Sequence, residues 1–171
     1  MNTDNIVLIG MPGAGKSTLG VVLAKVLGYD FIDSDIEIQH ATGQTLPRLI
    51  ERYGREGFLD IEADVNAALA PERKSVIATG GSVIYRERAM EHLRSIGRVV
   101  YLRVPCEELE RRIHALEARG VAMAEGMTLR DLFAERAPLY ERYAHVILDE
   151  RESMGDNVQA LAELFGEKGS V

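Results

Sequence analysis

The sequence predicts an α/β fold: a five-stranded parallel sheet with helices on both faces. Three observations carry that expectation. Short apolar runs alternate with helical patterns along most of the chain. Most of the runs are continuously apolar, as strands covered on both faces must be. The first run, Ile6 to Ile9, passes through a glycine-rich turn directly into a helical pattern, the connection that begins a strand–helix–strand unit.

Taken in order, Ile6–Ile9 is the first strand, its isoleucines and valine suited to a pleated surface. Thr18 to Leu27 reads as a helix, with Leu19, Val22, Leu23 and Val26 at helical spacing and Gly28 as its stop. Tyr29 to Ile32 is the second strand and ends in Asp33-Ser34-Asp35. Ile36 to His40 begins a helix that Thr42-Gly43-Gln44-Thr45 breaks. Leu46 to Tyr53 and Phe58 to Leu69 are two further helices, separated by the glycines at 54 and 57. The all-helical stretch from 36 to 70 is too long for a simple crossover, so it is expected to form a helical subdomain beside the sheet.

Ser75 to Thr79 is the third strand, closed by Gly80-Gly81. Arg86 to Ile96 is a helix ending at Gly97, and valine-rich Arg98 to Arg103 is the fourth strand. Pro105 opens a charged helix to about Ala118, at a first-turn position that suits proline. Arg119 to Met127 lacks periodicity and reads as a mobile loop. Thr128 and Asp131 have capping-box spacing for a helix to Tyr143, with Asp in place of the usual Glu. Ala144 to Leu148 is the fifth strand and Asn157 to Phe165 the closing helix; the last five residues are expected to fray.

The totals bound the rest. The chain has 171 residues, 46% apolar and 27% charged, enough for one domain with its own core. Its net charge of −7 argues against general affinity for nucleic acid or anionic membrane. Cys106 is the single cysteine, so no internal disulfide is possible and a reducing compartment is expected. No basic leader precedes the first apolar run, and that run is too short to span a membrane. A cytoplasmic protein is the expectation.

Chemistry concentrates at strand ends, where parallel sheets bind ligands. Residues 10 to 17 read Gly-Met-Pro-Gly-Ala-Gly-Lys-Ser, the spacing G-x-x-x-x-G-K-S between a strand and a helix. Glycines let the backbone curl around a polyphosphate, and the helix start adds its positive end. Lys16 can reach the β- and γ-phosphates and the Ser17 hydroxyl can ligate Mg²⁺. Asp33 and Asp35 can divide labour between Mg²⁺ and the proton of an attacking hydroxyl; they can also simply cap the next helix. Gly80-Gly81 allows close backbone approach to a small ligand, or is a tight turn. Arg111, Arg112, Arg119 and Arg136 are candidates to stabilise a transferring phosphoryl group, with Arg111 better read as solvated. His40, His92, His114 and His145 have no metal-ligand spacing.

On these residues the chain resembles the shikimate kinase family, a branch of the nucleoside-monophosphate-kinase-like P-loop proteins. The matching segments are residues 10–17, Phe-Ile-Asp-Ser-Asp at 31–35 and Gly-Arg-Glu-Gly-Phe at 54–58. Ala-Thr-Gly-Gly at 78–81 and Glu-Arg-Ala-Pro-Leu-Tyr at 135–140 complete them. The resemblance implies a P-loop kinase fold with ATP and Mg²⁺, a substrate-binding subdomain at 36–70 and a lid at 119–127. Gly13, Ala14, Gly15, Lys16, Ser17 and Thr18 would hold the phosphates, and Arg112 would stack on adenine. Ser17 and Asp33 would serve the metal. Asp35, as base, would share the acceptor with Gly80, Gly81 and Arg136, while Lys16 and lid residue Arg119 would stabilise transfer.

Three positions depart from the family pattern. Leu59 stands where an arginine helps clamp the acceptor carboxylate, Ser82 replaces a third glycine, and the lid reads Arg-Gly-Val-Ala at 119–122. Arg55 is a candidate to compensate for Leu59. The expected protein is a monomeric kinase for a small hydroxy acid, shikimate first. A related acceptor such as homoserine or gluconate is the alternative, and a nucleotide-binding module without transfer is the rival from another class.

Overall fold

The structure, a computed structural model, describes residues 4–113 and 126–166. Its five strands are β1 (Asn5–Ile9), β2 (Asp30–Asp33), β3 (Ser75–Ala78), β4 (Gly97–Arg103) and β5 (Val146–Asp149). They form one parallel sheet in the order β2-β3-β1-β4-β5. Every residue of β1 and β3 is buried. Side chains alternate between faces, so complete burial requires cover on both sides. In the centre, Val7 pairs with Ile77 on one side and Val99 on the other. Buried Asn5 ties the opposite end together: its side chain donates to Ile96 O (2.7 Å) and accepts from Ser75 N–H (2.9 Å).

The helices are α1 (Lys16–Leu27), α2 (Ser34–Thr42), α3 (Leu46–Ala67), α4 (Glu87–Ile96), α5 (Cys106–Ile113), α6 (Leu129–Tyr143) and α7 (Met154–Phe165). α1 ends at Gly28 and α2 at Gly43, both glycines in the left-handed region that a helix stop favours. The main core joins the sheet to α1, α4, α6 and α7. A second, small cluster of Ile38, Leu49, Phe58 and Leu59 holds α2 against α3. Leu59 is therefore a core residue of this helical layer. No described helix is long and apolar enough to cross a membrane.

The differences from the sequence reading are local. The two helices expected at 46–53 and 58–69 form but meet without an intervening loop: α3 spans both, with a break at Gly54, where φ is 68° and ψ −179°. Only glycine adopts that non-helical conformation cheaply, so the chain leaves the first helix and turns into the second at this residue. A 3₁₀ turn at Val83–Tyr85, too short to show periodicity, precedes α4. The Thr128–Asp131 capping box forms, with both reciprocal hydrogen bonds. A second box, Ser153–Asp156, starts α7 three residues before the expected Asn157. The proposed helix end near Ala118, Arg119 and most of the 119–127 lid lie outside the described residues; Gly126 and Met127 are within them.

Candidate active site

The turn after β1 is built for an anion. Gly13 and Gly15 have φ of 83° and 86°, which a Cβ would strain. Ala14 N–H closes the turn on Met11 O at 3.1 Å. Gly15 is the N-cap of α1 and has no side chain to cap with, so the first N–H groups of the helix keep their capacity for a phosphate. Lys16 is the first residue of α1 and nearly buried; its Nζ donates to Gly10 O (2.8 Å) and Met11 O (2.9 Å). Burial lowers its pKa to about 8, against the opposing pull of Asp35, Asp33 and Glu62. Ser17 and Thr18 follow in the first turn, both exposed.

β2 delivers the acid pair. Ser17 Oγ donates to Asp33 Oδ2 at 2.8 Å, and Asp33 Oδ1 accepts the Asp35 N–H at 3.0 Å. Asp33 thus caps α2, as one reading of this residue expected, and its other oxygen takes a hydrogen bond from the phosphate turn. Asp35 is raised above the ordinary carboxylate range, first by burial and then by Asp33. Its Oδ1 is buried and has no hydrogen-bond partner.

Gly80 and Gly81 are where the elements meet. A Cβ at Gly80 would come within 3.0 Å of both Glu62 Oε1 and Asp35 Oδ1. A Cβ at Gly81 would lie 2.9 Å from Arg136 Nη1 and 2.9 Å from Pro12 Cδ of the phosphate turn. Arg136 is 1% exposed. It lies on the buried stripe of α6 with Leu132, Tyr140 and Tyr143, and its Nε donates to Tyr85 Oη at 3.1 Å. One turn on, Tyr140 Oη donates to Gly81 O at 2.6 Å and the Tyr140 ring stacks on Tyr101 of β4. Those contacts hold the Arg136 turn against the glycine pair.

Glu62 was not singled out as a site residue by the sequence. It is 1% exposed and takes a 2.6 Å hydrogen bond from Ser82 Oγ on Oε2, while Oε1 has no hydrogen-bond partner. Burial pushes it up to about 7, opposed by the Ser82 bond and raised further by Asp35. The signal was present: Glu62 interrupts the apolar stripe Phe58, Leu59, Ala63 on α3. Ser82, noted only as a missing glycine, is the partner that holds it.

On the far side of the phosphate turn lies a cleft of about 390 Å³, lined by Ala14, Gly15, Arg112, Glu150, Ser153 and Met154 among others. Arg112 donates to Glu108 (3.0 Å), to Gly13 O (3.3 Å) and to Glu150. Its planar guanidinium is thereby fixed at the cleft wall. Arg111 is exposed and paired with Glu108. His92 and His145 make backbone hydrogen bonds to Leu69 O and Val99 N–H, and His40 is exposed.

Comparison with known proteins bears on this arrangement. The profile of the family described as shikimate kinase matches residues 12–164. The chain belongs to the shikimate kinase family. A shikimate kinase of Nitrosomonas europaea is 40% identical over 162 residues, covering 93% of this chain and 77% of the relative. One of Acinetobacter baylyi is 41% identical over 147 residues, 85% of this chain and 82% of its own. In three dimensions, the shikimate kinase of Acinetobacter baumannii in complex with shikimate superposes with a TM-score of 0.86 at 38% identity, covering 94% of this chain and 92% of that one. The P-loop kinase fold of the family is the one described above.

Among the described residues no group of three or more His, Cys, Asp or Glu could hold a metal by itself. Mg²⁺ in phosphoryl-transfer sites needs only one or two protein oxygens, with water and phosphate completing the shell. Ser17 Oγ and Asp33 Oδ2, 2.8 Å apart beside the phosphate turn, are such a pair.

Proposed function

We propose that this chain transfers the γ-phosphoryl group of ATP to a ring hydroxyl of shikimate, giving shikimate 3-phosphate and ADP. The observation that carries the reading is the convergence at Gly80-Gly81. There Pro12 of the phosphate turn, Asp35, Glu62 and buried Arg136 all come to within 3.0 Å of where a Cβ on one of the two glycines would sit, the convergence that transfer of a phosphoryl group to a small acid demands.

The residues divide the work as follows. The turn from Gly13 to Thr18 binds the phosphates, with Lys16 leaving its carbonyl partners for the β- and γ-oxygens. Asp35, its pKa raised above the ordinary carboxylate range by burial, takes the acceptor hydroxyl proton as the hydroxyl oxygen attacks phosphorus in line. The bond to the β-phosphate oxygen breaks and ADP leaves. Arg136 binds the acceptor carboxylate, and the backbone at Gly80 and Gly81 lies along its ring. Ser17 and Asp33 would hold Mg²⁺, which would supply neutralisation of the phosphate charge. Arg112 stacks on adenine at the far cleft, and Arg119, which lies outside the described residues, is the remaining candidate to stabilise the transferring group. The 36–70 helical layer carries the acceptor side.

All of these residues come from one chain, and we read the protein as a cytoplasmic monomer. With 27 acidic against 20 basic residues, its field repels nucleic acid. The test is an acceptor screen with purified protein, ATP and Mg²⁺. Shikimate is expected to be turned over well ahead of homoserine and gluconate. A preference for either of those overturns the assignment.

A further inference from the structure

The corner of the acceptor cleft beyond Arg136 holds a second guanidinium. Arg55 lies one residue past the Gly54 kink of α3. Its guanidinium carbon sits 4.9 Å from the centroid of the Tyr85 ring, and that of Arg136 sits 5.2 Å from the same centroid. One tyrosine on the 3₁₀ turn thus gathers two cations from different helices. Such stacking fixes the plane of a guanidinium and leaves its edge donors for an anion.

The donors are partly uncommitted. Arg55 Nη1 is paired with exposed Glu56 at 2.8 Å, and Nη2 lies 3.8 Å from Glu135 Oε1. Arg55 Nε is buried and has no hydrogen-bond partner, a cost that an incoming acceptor atom would remove. The corner already accepts a carboxylate: Glu135 Oε1 takes the Tyr85 hydroxyl hydrogen bond beside both arginines. Leu59 is enclosed by Ile38, Leu49 and Phe58 and contributes nothing polar.

Resting on the shikimate reading, we infer that Arg55, oriented by Tyr85, is the second guanidinium that holds the acceptor carboxylate together with Arg136. Tyr85 packs against the cluster that contains Leu59, while Arg55, just past the Gly54 kink, brings its guanidinium to the same ring.

The test is steady-state kinetics of Arg55→Ala and Arg55→Lys with shikimate and with its methyl ester, which keeps the hydroxyls and lacks the charged carboxylate. Arg55→Ala is expected to raise KM for shikimate about ten- to thirtyfold, the size of one charge-assisted contact at a part-exposed site. The loss falls on KM rather than kcat, and KM for ATP moves less than about twofold. Arg55→Lys recovers part of the loss. Wild type and Arg55→Ala handle the ester alike. A shikimate KM within about twofold of wild type, or an equal loss on the ester, overturns the role of Arg55 and leaves shikimate as acceptor. A wild-type protein inactive on shikimate overturns the acceptor assignment and, with it, this inference.

Discussion

Replacing Glu62 by Gln should make the protein more stable at alkaline pH and leave it unchanged in mild acid. Glu62 is buried, with Ser82 as its one hydrogen-bond donor, and its pKa rises from 4.5 to about 7 on folding. A raised carboxyl pKa means that the folded state binds this proton more tightly than the unfolded chain does. The corresponding stability is complete below the unfolded value of 4.5 and is lost as pH climbs through about 7. The shift corresponds to about 3 kcal/mol between those limits. Gln keeps the acceptor oxygen for Ser82 and carries no charge, so it escapes the loss. Asp35 and Lys16 titrate in both proteins and largely cancel in the comparison. The gap between Glu62→Gln and wild type should therefore open from near zero at about pH 5 to as much as 3 kcal/mol at about pH 8. For a chain of this length that is roughly 6–12 °C in Tm. Urea and thermal unfolding of both proteins at the two pH values reads it. An identical gap at both, or a less stable Glu62→Gln at pH 8, refutes the reasoning.

Two further outcomes follow from the same geometry. Gly80→Ala places a methyl group against Glu62 and Asp35; overpacking of this kind costs about 1–3 kcal/mol, and the shikimate KM should rise with it, so an unchanged Tm and KM would count against the cleft. Lys16→Met keeps the shape of the side chain and removes the charge that ATP meets. Its ATP affinity, measured by titration calorimetry, should fall about ten- to hundredfold, and affinity within about twofold of wild type would remove Lys16 from the phosphate site.

The sheet was legible because its signals are local and repeated. Residues 6–9 of β1 and 76–78 of β3 are unbroken apolar runs, and Gly28 and Gly97 close the helices before β2 and β4. The phosphate turn was legible for the same reason: its glycines and Lys16 all fall within residues 10–16. Asp35, Gly80 and Arg136 span a hundred residues of chain; the strand-end rule placed Asp35 and Gly80 beside the phosphate turn, and only the family resemblance added Arg136 to the acceptor side. Tyr85 left no such trace, Tyr140 appeared only as the last residue of a matching segment, and Glu62 only as a charge on an apolar stripe. A tyrosine in a three-residue 3₁₀ turn has no period to reveal it, and the Tyr140–Gly81 bond links residues 59 apart. One clue was available and general: Arg136 and Glu62 each sit on the apolar stripe of a helix. A charge there is costly unless it is satisfied, which marks a site or a buried network.

The most direct measurement concerns a single oxygen atom. Asp35→Asn keeps the size of the side chain and removes its ability to take a proton. Phosphoryl transfer to shikimate, followed by ADP release, should fall by at least a hundredfold, while ATP dissociation constants stay within about threefold of wild type. Transfer at near wild-type rates, or loss of ATP binding along with activity, would contradict the placement of proton acceptance at Asp35 beside an intact phosphate cradle.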